Sequence, residues 1–415
     1  MILGSIGKIG TGKVILFLVI VIILIQIWHM NMLIKQGYNS KDAQETGNSR
    51  PRADRMKTEL IISKIETAHV LDSSGTYHII TDIFEEGNSN IDLDNDITIV
   101  SQTSSNHLDD LIDLTERWDG HISIAVFTHK ADFERAIGNL LFLDICVPKV
   151  RNRVDFHLVF PIGSLLPTNK LKQLLKTETD CNFGIYSSSQ MNYDIEGIEY
   201  PHNLLRNTAV KFSKTKYVFV IDIDVLPNKH LRADFRKFVV GHTSSKDDRV
   251  LFVVPSFEFV TNNITDIPND KSSLLKQWRL NKIRPFYIDV CWKCQKTTDY
   301  ERWQFLPSSI SLELSYFLEW EDPWEPFYIA EKKSIPLYDE RFKQYGFNRI
   351  SQVCEMNIAG YNFGVLNNAF LVHKGFKFAD KFHKTKDMEN NRNRDLYRQF
   401  KRELKTKYPN SNRSC

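Results

Sequence analysis

Asp222 and Asp224 stand two residues apart at the end of the run Tyr217-Val-Phe-Val-Ile-Asp-Ile-Asp-Val-Leu-Pro227. The β-branched and aromatic residues before them read as a strand covered on both faces. An extended backbone through Ile223 would point both carboxylates to the same side. Carboxylates placed so repel each other unless positive charge lies between them. A hard divalent cation, Mg²⁺ or Mn²⁺, suits the pair, because such ions take oxygen ligands and leave positions open for substrate phosphates. The stretch is therefore a candidate metal-diphosphate site, against the plain alternative of a turn pair that binds no metal.

The elements around it must bring that strand end to a cleft. Ile97 to Val100, His121 to Phe127, Val154 to Phe160 and Tyr217 to Ile223 read as strands, and Ala131 to Ile145, Lys170 to Lys176 and Asn203 to Phe212 as helices between them. This alternation predicts an α/β fold with a mostly parallel twisted sheet flanked by helices, whose ligands sit beyond the carboxyl ends of the strands. Arg249 to Pro255 adds a strand, and Phe257 to Asp270 reads as a loop. Aromatic residues crowd Trp278 to Tyr345, which is mostly core packing, although aromatic faces also line sugar sites. From Asp387 onward Leu396, Phe400 and Leu404 recur at four-residue spacing, as on a terminal amphipathic helix.

The N-terminus points to a compartment. Residues 14–34 are almost unbroken apolar sequence, about long enough to cross a bilayer, and Lys8 and Lys13 precede them. No small-x-small cleavage site follows, so an uncleaved signal anchor with residues 1–13 in the cytosol and a luminal body is expected, that is, a single-pass type II membrane protein. Residues 35–92 are polar and read as a stem, 93–407 as the catalytic domain and 408–415 as a short tail. Six cysteines allow one or two disulfides in a lumen. Cys291-Trp-Lys-Cys294 has the spacing of half a zinc site but no second half, which favours a structural role. Asn263-Ile-Thr265 and Asn412-Arg-Ser414 are N-glycosylation sequons. A formal net charge of +3 carries no nucleic-acid footprint.

Asp222-Ile-Asp224-Val-Leu226 also fits the first motif of haloacid-dehalogenase phosphatases, but the chain has no Gly-Asp dipeptide for their later acidic motif. A different resemblance covers roughly Asp96 to Lys407. Tyr200-Pro-His-Asn-Leu-Leu-Arg-Asn207 before the metal strand, Val254-Pro-Ser-Phe-Glu258, Trp320-Glu-Asp-Pro-Trp-Glu-Pro326, Asp339-Glu-Arg-Phe342 with Gly346-Phe-Asn348, and His373-Lys-Gly-Phe-Lys377 together resemble the β-1,4-glucuronyltransferase 1 family. They are also similar to the glucuronic-acid-adding domain of the bifunctional xylosyl/glucuronyl transferases that build matriglycan. The resemblance implies a GT-A glycosyltransferase fold and an Mn²⁺-dependent, inverting transfer from UDP-glucuronic acid to a β-linked xylose on the O-mannosyl glycan of α-dystroglycan. It also implies a Golgi membrane location, with association with other Golgi transferases. The alternatives are a β-1,3-N-acetylglucosaminyltransferase acting on N-acetyllactosamine chains and a Golgi glycan-binding homologue without chemistry.

Site residues follow from motif and chemistry together. Asp222, Asp224 and, through the resemblance, His373 are the expected metal ligands. Lys374 and Lys377 are expected at the diphosphate, or as solvated lysines. Arg206 and Asn207 are placed for substrate binding, with Arg206 suited to bidentate contact with carboxylate or phosphate; an ion pair stitching helix to sheet competes. An inverting transfer needs one general base. Glu325, partly desolvated between Trp324 and Pro326, is the first choice and Asp322 the second. Asp339 is expected near the acceptor, paired with Arg341.

Overall fold

The computed structural model describes residues 50–84, 93–165, 168–176, 181–182, 184–185, 197–241, 249–261, 263–309, 311–379 and 385–415. The chain divides into two units, Met1–Glu59 and Leu60–Cys415. Of the first, only the beginning of helix Arg50–Thr67 is described. The expected anchor at residues 14–34 lies outside the described residues; among these, no helix is long and apolar enough to cross a membrane.

The larger unit is built on a ten-stranded sheet. Its order is β1 (Val70–Leu71), β2 (Tyr77–Ile80), β5 (Val154–Pro161), β4 (Ile122–Phe127), β3 (Ile97–Ser104), β6 (Tyr217–Val220), β12 (Phe327–Glu331), β8 (Val250–Val254), β13 (Asn362–Asn367) and β11 (Glu313–Leu318). A second sheet orders β10 (Ile283–Pro285), β9 (Ser256–Phe259), β14 (Leu371–Lys374) and β7 (Val225–Pro227). β5, β4, β3 and β6 run parallel, as the βα alternation predicts. β12 then enters antiparallel between β6 and β8, and β11 and β2 also pair antiparallel, so the sheet is mixed rather than mostly parallel. The expected loop after Phe257 instead begins with β9, which pairs with both β10 and β14.

Buried apolar runs explain the centre: every residue of β3 and β4 is buried, as in strands covered on both faces. Helix His202–Phe212 packs across β3 and β4 and buries Leu204, Leu205 and Ala209 against them.

Two expected boundaries move. The segment read as stem is folded from Leu60: Ile61, Ile62 and Ile65 join the core, and Tyr77 to Ile80 pair with Leu158 to Pro161. Its polar composition hid a helix with one apolar face and a short edge hairpin. The C-terminal residues read as a tail are tied down, Cys415 by a disulfide to Cys354 and Ser414 by its carbonyl to Asn357. Cys146–Cys181 and Cys291–Cys294 complete three disulfides, so neither cysteine of the Cys-Trp-Lys-Cys motif is free to hold zinc. Both sequons are exposed, with the Asn263 side chain capping a short turn through the Thr265 amide at 3.1 Å.

Candidate active site

β6 stops at Val220, three residues earlier than the expected strand end, and a turn closed by the Val225 amide on the Asp222 carbonyl at 3.2 Å leads into β7 of the second sheet. The two carboxylates therefore do not hang from one extended strand. They leave a turn that joins two sheets, and each is met by a different set of cations.

Asp222 faces the large sheet. One carboxylate oxygen is 3.3 Å from Arg206 Nη2 and the other 3.3 Å from Arg349 Nη1. Burial alone would raise its pKa, but the Arg349 and Arg206 guanidiniums hold it below the usual carboxylate value. Arg206 rises from helix His202–Phe212, braced by the Asn203 side-chain oxygen at 3.2 Å. Arg349 sits in the first turn of helix Asn348–Ile358 with its guanidinium 4.3 Å from the Phe327 ring centre. Its other arm, Nη2, reaches Glu325 Oε1 at 3.4 Å. Glu325 is pushed up by burial, a rise that Arg349 restrains. A buried carboxyl with a raised pKa and one guanidinium beside it has the properties of a general base.

Asp224 faces the second sheet. Its Oδ2 lies 3.0 Å from Lys377 Nζ and 3.1 Å from His373 Nε2. Burial would again raise the carboxyl; Lys377 and His373 outweigh it and hold it well below the ordinary range. Register explains the meeting, since β14 pairs antiparallel with β7 and sets His373 opposite Val225, next to Asp224. Glu258, fully buried in the Val-Pro-Ser-Phe-Glu motif, accepts from Arg284 Nε at 2.9 Å and from the amides of Tyr287 and Lys377 at 2.9 and 3.3 Å. It thus fixes the loop that carries Lys377.

The donor set suits a divalent cation. His373 Nδ1 lies 2.9 Å from the Gly375 carbonyl, to which it donates, and the ring is thereby turned so that Nε2 points at Asp224. Nε2 and Asp224 Oδ2 converge at 3.1 Å, and an imidazole oriented through its other N–H is the usual habit of a metal ligand. Among the described residues no three acidic, His or Cys side chains form a ready-made cage. A metal here would be held by few protein atoms and would keep positions for phosphate and water.

A cleft of about 620 Å³ opens over this centre. Of the residues singled out in the sequence, Asp222, Asp224, Arg206, Glu325 and Lys377 line it, and His373 stands behind Asp224 outside the lining. Four other expected residues are engaged elsewhere. Asn207 is used as a clamp, its amide bonded to the Tyr338 carbonyl and amide at 2.8 Å. Asp339 is bound to Arg341, at 2.9 Å from Nε, and Arg341 goes on to Glu403, so the expected pair exists but outside the cleft. Asp322 is partly exposed, 3.6 Å from Lys401 on helix Lys386–Lys407. Lys374 pairs with Asp113. The two substrate roles and the second-choice base therefore have no geometric support, and Lys374 answers a carboxylate before any phosphate.

Arg349 and Asp110 are among the lining residues that escaped sequence reasoning. Arg349 follows directly on the Gly346-Phe-Asn348 motif, and nothing in its spacing from Asp222 signals contact. Asp110, in the first turn of helix Asp110–Arg117, is pushed up to about 6 by burial and then by Asp224.

The family model described as a glycosyl-transferase for dystroglycan matches residues 96–409. Beta-1,4-glucuronyltransferase 1 of Danio rerio is 36% identical over 436 residues, covering 98% of this chain and 99% of that protein. Its Homo sapiens counterpart is 38% identical over 375 residues, with 88% of each chain covered. The xylosyl- and glucuronyltransferase LARGE1 of Homo sapiens is 27% identical over 309 residues, covering 74% of this chain and 35% of that one. Among solved structures, S. aureus TarS 1-349 in complex with UDP-GlcNAc aligns at 11% identity and a TM-score of 0.35, over 77% of this chain and 68% of that chain.

Proposed function

Because this chain belongs to the glycosyltransferase family for dystroglycan, we propose that it transfers glucuronic acid from UDP-glucuronic acid to a β-linked xylose on the O-mannosyl glycan of α-dystroglycan. In this reading the fold is GT-A, the metal is Mn²⁺, and the enzyme works on the luminal side of the Golgi membrane, held by the anchor at residues 14–34.

Asp224 and His373, with Asp222 beside them, would hold the metal, which would supply positive charge against the diphosphate that leaves. Lys377, already on the Asp224 carboxylate, adds a point charge on the phosphate side of the cleft. Glu325 accepts the acceptor hydroxyl proton as that oxygen bonds to the anomeric carbon and the bond to UDP breaks on the opposite face. Arg349 spans Asp222 and Glu325 and so keeps the base at a set position relative to the metal-side carboxylate. Inversion follows, since one base and a single displacement leave no covalent intermediate.

The observation that carries the reading is the meeting of Asp224 and His373 at 3.1 Å, with His373 oriented by the Gly375 carbonyl. The full chain in detergent, given Mn²⁺ and either UDP-glucuronic acid or UDP-N-acetylglucosamine with β-xyloside and N-acetyllactosamine acceptors, tests it. Transfer from UDP-glucuronic acid to the xyloside is expected. Transfer only from the second donor would replace the donor assignment, and no metal-dependent transfer from either would leave a glycan-binding homologue.

A further inference from the structure

The Cys-Trp-Lys-Cys motif has so far only lost its zinc reading, yet Cys291 and Cys294 line the cleft, and the stretch that carries them is anchored at two points of the active centre. At one end stands Tyr287, itself a lining residue, whose amide donates to Glu258 Oε1 at 2.9 Å. The other oxygen of Glu258 accepts the Lys377 amide at 3.3 Å, and Lys377 Nζ reaches Asp224. At the other end the Cys294 carbonyl accepts the Glu325 amide at 2.9 Å, and Gln295 Nε2 lies 3.4 Å from the Glu325 carbonyl. One stretch of chain, Tyr287 to Gln295, therefore links the loop of Lys377 to the backbone of Glu325.

The sheets do not provide that link. β12 pairs with β6 and β8 of the large sheet, whereas Lys377 follows β14 of the second sheet, so no ladder sets the separation of Glu325 from Lys377. Nor is the stretch stiff by its backbone alone. It consists of a four-residue helix, Ile288–Cys291, and a three-residue turn, Trp292–Cys294, and helical pieces so short are not stable by themselves. Tyr287 enters it in the left-handed conformation, φ 61°, which a non-glycine residue holds only where its surroundings demand it. The disulfide supplies the missing constraint, joining the end of the helix to the end of the turn at the residue whose carbonyl holds Glu325. It closes a separation of 3 residues, against 35 and 61 for the others, so it removes the least chain entropy of the three and contributes mainly local order.

We infer that the Cys291–Cys294 disulfide is a positioning device for the base: it fixes the span between the Lys377 loop and Glu325, so that proton acceptor and phosphate-side cation keep one separation. The cysteines act through Glu325 and take no part in the bond changes of transfer. A shift of about 1 Å in a reacting group costs on the order of a hundredfold in rate, so loss of the constraint is read in turnover. Reduction by a dithiol removes it: the Sγ–Sγ bond breaks, both sulfurs become thiols, and the reagent gives up two electrons and two protons as it closes to its own disulfide. The inference rests on Glu325 as the base of the transferase reading and adds what holds that base in place.

Steady-state kinetics of the full chain in detergent test it, with whichever of the two UDP-sugars and of the β-xyloside and N-acetyllactosamine acceptors the wild type uses. Cys291→Ser/Cys294→Ser is expected to lower kcat about ten- to a hundredfold, with donor and acceptor KM within about twofold. Cys354→Ser/Cys415→Ser removes a bridge outside the lining of the cleft and controls for lost stability; its kcat below the unfolding transition should match wild type. In wild type exposed to stepped dithiothreitol, activity should fall as Cys291 and Cys294 become open to alkylation, read by mass spectrometry, and not as the other four cysteines do; this arm decides the matter if the first variant does not fold. An unchanged kcat in Cys291→Ser/Cys294→Ser, an equal fall in both double variants, or a loss of activity that follows another disulfide would overturn the positioning role. Glu325→Gln separates this from the base itself: wild-type kcat there removes the base and the inference with it, whereas abolished transfer beside an unchanged kcat in Cys291→Ser/Cys294→Ser overturns the disulfide's role alone.

Discussion

His373 Nε2 faces Asp224 Oδ2 at 3.1 Å because β14 and β7 pair antiparallel one residue away from the turn that ends the central strand. The contact joins a late segment of the chain to the carboxylate pair without any help from sequence proximity.

Asp224→Asn is expected to lower transfer by about a thousandfold, some 4 kcal/mol of barrier, with an unchanged circular dichroism spectrum. His373→Ala is expected to shift the Mn²⁺ concentration for half-maximal activity upward by about ten- to a hundredfold. Direct Mn²⁺ titration by electron paramagnetic resonance checks both; undiminished metal binding in Asp224→Asn would move the metal elsewhere.

The base predicts a pH signature. Burial raises the Glu325 carboxyl above its usual value, and Arg349 restrains that rise. Activity requires the deprotonated form, so the acidic limb of kcat/KM should lie above the ordinary glutamate range of about 4.3. Arg349→Met removes the charge that favours the carboxylate, so the limb should move to higher pH as the plateau falls. A pH-rate series on wild type and variant checks it; a limb that moves to lower pH, or stays still, argues for another base. Glu325→Gln should leave almost no transfer at any pH.

A second pH effect concerns stability. His157 is fully buried with its Nδ1 accepting the Asp82 amide at 3.2 Å and its Nε2 against the Ser123 hydroxyl at 2.9 Å, which itself donates to the Ala209 carbonyl at 2.8 Å. That chain of donors admits only a neutral ring, and burial, helped by Lys214, pushes its pKa down to about 3 from 6.5. The unfolded chain therefore takes up this proton first, and stability falls as pH drops from 6.5 toward 3, by about 1.4 kcal/mol per pH unit. Denaturant unfolding at several pH values should show a shallower slope in His157→Leu than in wild type, whatever the variant's absolute stability.

The C-terminus predicts a structural cost. The Cys354–Cys415 bridge spans 61 residues, a loop for which chain entropy gives about 4 kcal/mol. Cys415→Ser should lower stability by a sizeable part of that figure, and deletion of residues 409–415 by more, since Asn357 and the Ile358 carbonyl lose the Ser414 and Ser411 bonds. Thermal unfolding of the oxidised chain checks the order.

The sequence was readable where one property decides the structure. Continuous apolar runs located β3, β4, β5 and β6, and four-residue spacing located the terminal helix. The carboxylate pair and Glu325 were legible because acidic residues beside buried segments need a reason. Asn207 and Asp339 misled because a polar side chain next to a motif can serve the backbone as well as a ligand, and only Tyr338 and Arg341 reveal which. The stem boundary failed because a helix with one apolar face, Ile61, Ile62 and Ile65, is diluted by its polar surroundings. Arg349 was hidden for a different reason: its pairing with Asp222 exists only after two distant helices and a strand have been assembled.

The antiparallel entry of β12 has one more implication. Glu325 precedes β12 and Asp222 follows β6, and the ladder that pairs Tyr328 with Val220 brings the beginning of one strand to the end of the other. The interval between proton acceptor and metal-side carboxylate is thus set by strand register and not by any loop. The segment 287–298 borders the cleft but is bonded to Glu325 through the Cys294 carbonyl at 2.9 Å, so a change of sequence there reaches Glu325 while the register of β6 and β12 stays as it is.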